Sequence, residues 1–486
     1  MKKKILLAFI LVFALTLRLK FFIGLNWSDD VNYVYLADQI LKGKYKPSYM
    51  LSLRLMMIYP LALFFRVFGV SNLSATLYPL LTSLAEIVVV YTIAKLLFND
   101  EVALTSAFIL SIFPLHVIYA TWIMPDVPLA FFLAFSVLLF LLAEKRNSKL
   151  LMLMSGMLGG MAYLLKLSGL MIFIFYFFIF LFKSFKRRKV ELKYSLIFLG
   201  LFIILIAEGI FYYRMTGDFM LRYHRGFLYF SEKERLKHEF QTKFDFYPKV
   251  MFNLDNSYRF MFTNPYTYFG FFYFIVIISI IYFLKKKERK TMFPIAWFLI
   301  MFFYLQFGSM SFKEYIPMHR LTRHLTVLSA PSIILVSRFL QEKKFKRISI
   351  FLLTLLTLNF LYYIENIHYL QTGQVKDVLL IFDYLKEMPE KTIYSDPGTN
   401  GHLMFYFKFE RNDIFRPINS LRCEEVRDSY VIVNATRAWV ELKSLIESIP
   451  SCVRNPPENW KKVKVIKSDF LEYPFNLFDP VIYYVE

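Results

Sequence analysis

The sequence lacks the short motifs that mark most soluble enzymes. It has only two cysteines, Cys423 and Cys452, and neither their spacing nor a neighbouring histidine suggests a metal site. A glycine-rich phosphate loop and a G-x-S-x-G turn are also absent. The sequence therefore does not support nucleotide, metal-hydrolase or serine-hydrolase chemistry. It indicates no cofactor, although a divalent metal stays open as an alternative.

Acidic residues are also scarce. The chain has 37 Asp and Glu against 58 Lys and Arg, a formal net charge of +21, yet 57% of its residues are hydrophobic. This combination excludes an ordinary soluble protein and is typical of a membrane protein whose basic residues lie in its loops. Nucleic-acid binding is not predicted, because Lys and Arg fall in short clusters between apolar runs and do not line a polar face.

Many of the apolar runs are long enough to cross a membrane. The opening "MKKKILLAFILVFALTLRLKFFIG" has no small-residue cleavage site after its apolar core, so we expect a retained first span. A crossing helix needs about 20 apolar residues, and the predicted fold class is a multi-span α-helical membrane protein with about eleven transmembrane helices. The predicted spans are residues 5–23, 71–97, 101–120, 126–143, 149–165, 167–183, 193–213, 266–284, 291–307, 325–341 and 348–364.

Basic clusters indicate the orientation, because short cytoplasmic loops carry an excess of Lys and Arg. With "MKKK" in the cytoplasm, simple alternation of the spans places every later basic cluster there as well. These clusters are "KLLFND", "EKRNSK", "KSFKRRK", "KKKERK" and "RFLQEKKFKR". The predicted location is the plasma membrane, with a cytoplasmic N-terminus.

The same alternation resolves two ambiguous apolar runs. Residues 151–182 could form one long helix, but a single crossing would move "KSFKRRK" to the outer side. Two short helices with a hinge at Lys166 are therefore predicted.

Residues 51–69 look long enough to span, yet counting them as a span would move every later basic cluster to the outer side. Because this run contains Arg54 and Pro60, we expect an interfacial helix within the first outer loop.

Two domains are predicted. Residues 1–365 should form the transmembrane domain, with outer loops at 24–70 and 214–265, and residues 366–486 a small α/β domain outside the membrane. Both cysteines would then lie in an oxidising space, where a disulfide between them or two free thiols are compatible with the sequence. The domain is predicted from short β-prone runs separated by Pro, Gly and Asn, namely "KTIYSD", "SYVIVNAT", "KVKVIKSDF" and "PVIYYVE".

The predicted outer face collects ionisable residues at the edges of spans. Charges close to hydrocarbon are energetically expensive, so these residues are candidates for function. Structural alternatives stay open, since "SDD" and "PDVP" are typical of helix N-termini and basic side chains at a helix end can snorkel toward water. The candidates are Asp29, Asp30, Asp126, Lys166, His319, Arg320, Arg323 and His324.

Acids and cations on one outer membrane face favour a particular chemistry. A carboxylate can accept the proton of a hydroxyl nucleophile, while Lys and Arg can stabilise a departing phosphate. We therefore expect a reaction between a hydroxyl group and a lipid-linked phosphate donor.

Several motifs resemble those of the GT-C superfamily of membrane glycosyltransferases, of the protein O-mannosyltransferase and aminoarabinose transferase type. "WSDDVNYVYLA" is similar to the acid-acid-x-x-Tyr motif of the first outer loop. The resemblance covers roughly residues 5–340 and implies transfer of a hexose or pentose from dolichyl or undecaprenyl phosphate to a hydroxyl of a protein Ser or Thr, a lipid or a glycan. Further motifs follow in the family's order: "RVFGVSNLSATLYPLLTSLAEIVVVYTIAKLLF", "MPDVPLAFF", "GMLGGMAYLLKLSGL" and "RLTRHLTVLSAP".

The resemblance implies a role for each matching residue. Asp29 corresponds to the catalytic first acid, the general base, and Asp30 to the second acid of that pair. Asp126 matches a further outer-face acid that shapes the acceptor and sugar site. The implied ligands of the donor phosphate are Lys166, Arg320, Arg323 and His324.

Two departures from the family pattern concern the sugar and the acceptor more than the reaction class. The family often has Glu as the second acid and Arg before the Tyr, where this chain has Asp30 and Asn32. The Arg usual after the first outer loop is missing from "LSATLYPLL". The implied reaction is a single displacement that inverts the anomeric configuration.

Two other classes of function stay open. A multi-span transporter or flippase of a lipid-linked substrate would need charges midway through spans, and often internal repeats. Glu86 and Glu208 are such mid-span acids, and we expect them to be paired structurally; no repeat is evident. A non-catalytic scaffold would be favoured if the acids pointed away from a common cavity.

Overall fold

Helices dominate the structure, and a small sheet follows them near the C-terminus. The computed structural model describes residues 2–26, 29–228, 244–252, 269–309, 315, 317–318, 320–373, 375–434, 449–467 and 479–486. The chain divides into two units. Unit 1 contains Met1–Phe22, Lys44–Pro60 and Thr76–His368, and unit 2 contains Ile23–Gly43, Leu61–Ala75 and Tyr369–Glu486.

Long apolar runs form most of the helices up to residue 373, because a helix satisfies its own backbone hydrogen bonds where no water is available. In chain order they are α1 (Lys2–Lys20), α2 (Asp29–Leu41), α3 (Leu55–Phe68), α4 (Asn72–Leu97), α5 (Asp100–Ser111), α6 (Pro114–Ile118), α7 (Asp126–Arg146), α8 (Lys149–Leu165), α9 (Met171–Arg187), α10 (Ser195–Thr216), α11 (Leu221–Leu228), α12 (Phe246–Phe252), α13 (Phe272–Lys286), α14 (Met292–Phe307), α15 (Ser329–Leu340) and α16 (Lys346–Gly373). Each predicted span contains helical residues.

Several helices have the length and composition of membrane spans. In the part of the chain that the structure describes, the five that meet both criteria are Asn72–Leu97, Asp126–Arg146, Leu167–Arg187, Leu192–Thr216 and Ile348–Gly373. α3, α8 and α14 are apolar but shorter. The helical membrane class predicted from the sequence agrees with these helices, and the full number of about eleven spans stays a prediction.

The third predicted span, residues 101–120, is interrupted. α5 ends at Ser111, and α6 begins at Pro114. Proline has no N–H to continue a helix and disfavours the helical conformation of the preceding residue, Phe113, whose ψ is 121°. The prediction of one continuous helix is therefore wrong at this point.

The predicted hinge at Lys166 is confirmed. α8 ends at Leu165, Lys166 is extended with φ −160° and ψ 141°, and a 3₁₀ turn over Leu167–Leu170 leads into α9. The turn folds closely onto the end of α8. A Cβ at Gly169 would lie 2.4 Å from the carbonyl carbon of Ala162, so a glycine is required there.

The run 51–69 forms a short 3₁₀ turn, Met50–Leu53, followed by α3. α3 has 14 residues, fewer than the about 20 that cross a bilayer, which agrees with its exclusion from the predicted spans. Its position at a membrane interface stays a prediction.

Unit 2 contains a mixed five-stranded sheet in the order β2-β1-β3-β5-β4. β1 is parallel to β2 and β3, whereas β5 is antiparallel to β3 and β4. The predicted small α/β domain is therefore present, and its extracytoplasmic position stays a prediction. The strands are β1 (Thr392–Ser395), β2 (Phe415–Pro417), β3 (Ser429–Val433), β4 (Lys461–Val465) and β5 (Val481–Val485), and the helices are α17 (Lys376–Leu385), α18 (Pro397–Tyr406) and α19 (Ser451–Arg454).

The sheet is covered by apolar side chains on both faces. One cluster includes Val378 of α17 and Leu403 of α18, and the other includes Val431 of β3 and Trp460. The second cluster contains the disulfide between Cys423 and Cys452, so the disulfide alternative is the one observed.

Unit 2 also contains α2, the helix that begins with the acid pair. The side chain of Val31 lies against Gly401 of α18, where an added Cβ would be 2.2 Å from Val31 Cγ1. The ring centroids of Tyr35 and Phe409 are 6.5 Å apart, and Lys42 donates to the Phe409 carbonyl at 3.0 Å. The helix carrying Asp29 is thus packed on the C-terminal part of the chain, although it lies within the predicted first outer loop.

Candidate active site

In unit 1 the structure brings together an acid and two cations from distant parts of the chain. Lys166 Nζ donates to Asp126 Oδ1 at 3.1 Å, and Arg323 Nε lies 3.7 Å from Asp126 Oδ2. The Asp126 side chain is 2% exposed, whereas Lys166 and Arg323 retain 16% and 18%. The carboxylate is therefore buried beneath two basic groups that solvent or a ligand can still reach.

Local structure places each of these three side chains at the end of an element. Asp126 is the first residue of α7 and follows Pro125, where an acid also interacts favourably with the helix dipole. Lys166 lies at the break after α8, and Arg323 belongs to the 3₁₀ helix Thr322–Leu328 that precedes α15. Asp126 lies at the helix start that "PDVP" predicts, but the N-cap residue is Pro125, and the Asp126 carboxylate contacts the two cations.

Positive charges outnumber negative charges at this site. Burial lowers the pKa of Lys166 to about 8; Asp126 opposes this shift, while the charges of Arg323 and Arg54 add to it. Arg54 follows the 3₁₀ turn Met50–Leu53, and the sequence predicts for it only that residues 51–69 do not span the membrane. We refer to Arg54, Asp126, Lys166 and Arg323 as the Asp126 cluster. Its three basic groups outnumber its single carboxylate, which favours binding of an anion.

Two further predicted phosphate ligands have other observed contacts. Arg320 is fully buried; its guanidinium donates to the Gln306 carbonyl at 2.6 Å and lies 4.9 Å from the Phe244 ring centroid. The His324 ring is 3.3 Å from the Tyr247 hydroxyl. These contacts hold the loop before α15 in place. A role for Arg320 and His324 in donor binding stays a prediction, and His319 lies outside the described residues.

The acid pair of α2 separates into two different environments within unit 2. Asp30 is fully buried, and its carboxylate accepts hydrogen bonds from the backbone N–H groups of Asn26 and Val31. The Asn26 side chain in turn donates to Gln371 at 3.0 Å. Asp29, one residue earlier, is partly exposed. Asp30 is therefore held by backbone hydrogen bonds at the start of α2, whereas Asp29 is more accessible; a catalytic role for either acid stays a prediction.

Both mid-span acids have a basic neighbour. Glu86 lies 3.6 Å from the His116 ring, and Glu208 accepts a hydrogen bond from Arg222 at 2.6 Å. These pairings agree with the expected structural role. Among the described residues, no group of three or more His, Cys, Asp or Glu side chains is arranged to hold a metal ion.

The fold is similar to that of membrane glycosyltransferases. ArnT from Cupriavidus metallidurans bound to undecaprenyl phosphate matches with a TM-score of 0.61 at 12% identity, over 98% of this chain and 97% of that chain. The Archaeoglobus fulgidus oligosaccharyltransferase with Zn and sulfate matches with 0.58 at 14%, over 94% and 71%. Oligosaccharyltransferase AglB from the same organism, with an inhibitory peptide and a dolichol-phosphate, matches with 0.55 at 13%, over 99% and 76%. These matches show that the chain shares the fold class of these proteins.

Sequence comparison identifies the branch of this class that the chain resembles. Residues 52–210 match the family described as dolichyl-phosphate-mannose-protein mannosyltransferase. No curated protein sequence matches the chain. The resemblance to the protein O-mannosyltransferase and aminoarabinose transferase type, predicted from motifs, is therefore confirmed.

Proposed function

We propose that the protein is an integral-membrane glycosyltransferase that moves a sugar from a polyprenyl phosphate, dolichyl or undecaprenyl, to an acceptor hydroxyl on the outer face of the plasma membrane. The observation that carries this proposal is the Asp126 cluster. In it, three basic side chains, Lys166, Arg323 and Arg54, carry more positive charge than the one buried carboxylate balances. A lipid phosphate is an anion that such a cluster can bind. Polyprenyl phosphates bound to proteins of similar fold support the choice of donor.

The proposed reaction is a single displacement. Asp29 accepts the proton of the acceptor hydroxyl, whose oxygen then attacks the anomeric carbon of the sugar. The bond from that carbon to the phosphate oxygen breaks, and Lys166 and Arg323 stabilise the negative charge of the departing lipid phosphate. Asp126 orients these two cations and shapes the sugar site, and Asp30 holds the start of α2. Configuration inverts because no enzyme nucleophile intervenes.

The proposed topology follows from the charge distribution. The N-terminus lies in the cytoplasm, about eleven helices cross the bilayer, and the C-terminal domain is extracytoplasmic. The disulfide between Cys423 and Cys452 supports an oxidising environment for that domain. The acceptor is a protein Ser or Thr, a lipid or a glycan; the acceptor peptide tethered to the similarly folded oligosaccharyltransferase supports the first of these.

The experiment that tests the function is transfer in vitro by the full chain in detergent or nanodiscs. A panel of radiolabelled sugars on dolichyl and undecaprenyl phosphate is offered with Ser/Thr peptides, lipids and glycans as acceptors. We expect labelled acceptor with at least one combination. If reconstituted vesicles move the labelled donor across the bilayer and no combination gives labelled acceptor, the flippase alternative replaces the proposal.

Asp29→Asn tests the proposed base. The amide keeps the size of the side chain but cannot accept the proton, so we expect transfer to fall by about 10²-fold or more. Expression level and polyprenyl-phosphate binding should match the wild type, because Asp29 lies outside the Asp126 cluster. Turnover near the wild-type rate in this variant would rule out Asp29 as the base.

A further inference from the structure

Unit 1 contains a buried ion pair that the proposed reaction does not use. Glu208 lies on α10 and Arg222 on the short helix α11, and Arg222 Nε donates to Glu208 Oε1 at 2.6 Å. The two side chains are only 5% and 7% exposed. A buried pair is rarely retained for stability alone, because removing both charges from water offsets most of their attraction. The remaining contacts of Arg222 suggest what it is for.

Arg222 also donates to the backbone of two separate segments. Its terminal nitrogens reach the carbonyl oxygens of Tyr163 at 3.3 Å and Leu164 at 3.5 Å, and a third hydrogen bond goes to the carbonyl of Leu53. The guanidinium carbon lies 4.6 Å from the Tyr163 ring centroid. The Tyr212 hydroxyl donates to the same Leu53 carbonyl at 3.0 Å.

These carbonyls need external donors because of where their elements end. α8 stops at Leu165, so the carbonyls of its last turn have no partner further along the helix. The 3₁₀ turn Met50–Leu53 likewise ends at Leu53. A cation at a helix C-terminus is favourable, and a guanidinium has five N–H donors in a fixed fork that can serve several carbonyls at once.

Both segments continue directly into the Asp126 cluster. Lys166 is two residues beyond Leu164, and Arg54 is the residue after Leu53. One guanidinium therefore ties together the two backbones that carry these cations. Glu208 balances the charge of Arg222, which allows the guanidinium to stay buried between them.

We propose that the Glu208–Arg222 pair is a clasp that sets the spacing of Lys166 and Arg54 for binding the donor phosphate. This inference rests on the proposed function. The pair touches neither substrate nor reacting atoms in this scheme, so both residues are positioning residues. Their loss should weaken donor binding through the misplaced cations and leave acceptor binding nearly unchanged.

The test compares Arg222→Lys, Arg222→Gln and Glu208→Gln with the wild type in the full chain. Lysine keeps the charge, but its three donors lie on one nitrogen and cannot reach Glu208 and three separate carbonyls, so it should not restore the spacing. We expect the KM for the polyprenyl-phosphate sugar to rise about tenfold in each variant, with the acceptor KM within about twofold of wild type. Equal increases in both KM values, or an unchanged donor KM, would overturn the clasp.

Arg338→Lys is the matched control. Arg338 on α15 forms a bidentate pair with Glu288 at 3.0 Å and 3.0 Å, and it lies outside the Asp126 cluster. We expect Arg338→Lys to lower the unfolding temperature, as Arg222→Lys should, and to leave the donor KM unchanged. A donor KM raised equally by both variants would mean that any weakened ion pair has this effect, which would overturn the proposal.

A double-mutant cycle with Lys166→Met measures how strongly the two substitutions are coupled in their effect on the donor KM. General destabilisation of the fold would not produce such a coupling. Because a clasp cannot position a side chain that is absent, Arg222→Lys should raise the donor KM much less in the Lys166→Met background than in wild type. Additive effects would contradict the clasp.

Binding of undecaprenyl phosphate without sugar separates this inference from the proposed function. If no sugar is transferred by the wild type, yet Arg222→Lys weakens undecaprenyl phosphate binding about tenfold, the clasp stands and the glycosyltransferase proposal fails. If the wild type transfers sugar and Arg222→Lys binds undecaprenyl phosphate normally, the clasp fails and the function stands.

Discussion

Lys166 is a member of the Asp126 cluster whose charge state can change near neutral pH. Burial lowers the pKa of its ammonium group to about 8, from an ordinary value near 10.5. The cationic form, which would bind the donor phosphate, therefore predominates below about pH 8 and is lost as the pH rises through that value. The phosphodiester of the donor does not change its charge in this range, so the titration of Lys166 should control the affinity.

We therefore expect the donor KM of the wild type to increase between about pH 7 and pH 9.5. Lys166→Arg should remove this dependence, because the guanidinium stays protonated throughout. Lys183→Arg is the control. Lys183 lies on α9, and its Nζ is 3.1 Å from the carboxylate of Glu144 on α7. This variant should keep the pH dependence of the wild-type donor KM. A pH-independent donor KM in the wild type would show that Lys166 does not contact the phosphate.

Individual site residues could be predicted to different degrees. Asp126, Lys166 and Arg323 interrupt apolar runs at predicted span edges, where a charge is costly and therefore conspicuous. Arg54 also interrupts such a run, but its charge served as evidence about topology and its proximity to Lys166 was not foreseen. Arg222 falls within the predicted outer loop 214–265, where an arginine is common and does not indicate a function. Only the packing shows that its guanidinium meets the end of α8.

At the scale of elements, the break between α8 and α9 determines where Lys166 lies. The 3₁₀ turn Leu167–Leu170 packs so closely on α8 that a Cβ at Gly169 would be 2.4 Å from backbone atoms of Ala162 and Tyr163. Backbone atoms cannot rotate away, so the turn itself would have to move. Any such movement shifts the cation relative to Asp126.

Gly169→Ala should therefore lower the free energy of unfolding by about 1–3 kcal/mol and raise the donor KM. Thermal unfolding of the detergent-solubilised chain and transfer kinetics measure the two effects. Ser168→Ala, in the same turn, removes a hydroxyl and adds no volume, so its donor KM should stay near that of wild type. A Gly169→Ala variant with wild-type stability and kinetics would mean that the turn accommodates the methyl group.

A break in a helix can be predicted from the sequence where an unbroken helix would place a basic cluster on the outer side of the membrane. One helix over residues 151–182 would place a basic cluster on the outer side of the membrane, so the sequence predicts a hinge at Lys166. The break before Pro114 has no such consequence for topology. Residues 101–120 are predominantly apolar, and a proline inside such a run can either kink a helix or end it, so the sequence does not distinguish one helix from two.

At the scale of the whole molecule, the disulfide contributes to the stability of unit 2. It joins Cys423 to Cys452 across 29 residues and lies in the apolar cluster with Val431 and Trp460. Replacing both cysteines by serine frees this loop in the unfolded chain, which should lower the unfolding free energy by about 2–4 kcal/mol.

Chemical unfolding of the full chain, followed by protease sensitivity of the C-terminal region, measures this change. Wild type treated with a membrane-permeant reductant should approach the behaviour of the double variant. The reductant should have no effect on the double variant itself. Equal protease sensitivity of wild type and double variant would contradict a stabilising role for the disulfide.

From the sequence alone we could predict a helical membrane protein, the approximate positions of most of its long apolar helices, the charges at their ends and a C-terminal α/β domain. These features depend on local hydrophobicity, periodicity and charge, which can be read along the chain. The tertiary structure was needed to show that Arg54, Asp126, Lys166 and Arg323 form one cluster, that Arg222 donates to the end of α8, and that α2 packs on α18. Such contacts join residues far apart in the chain, and they depend on how side chains of different helices fit together in space.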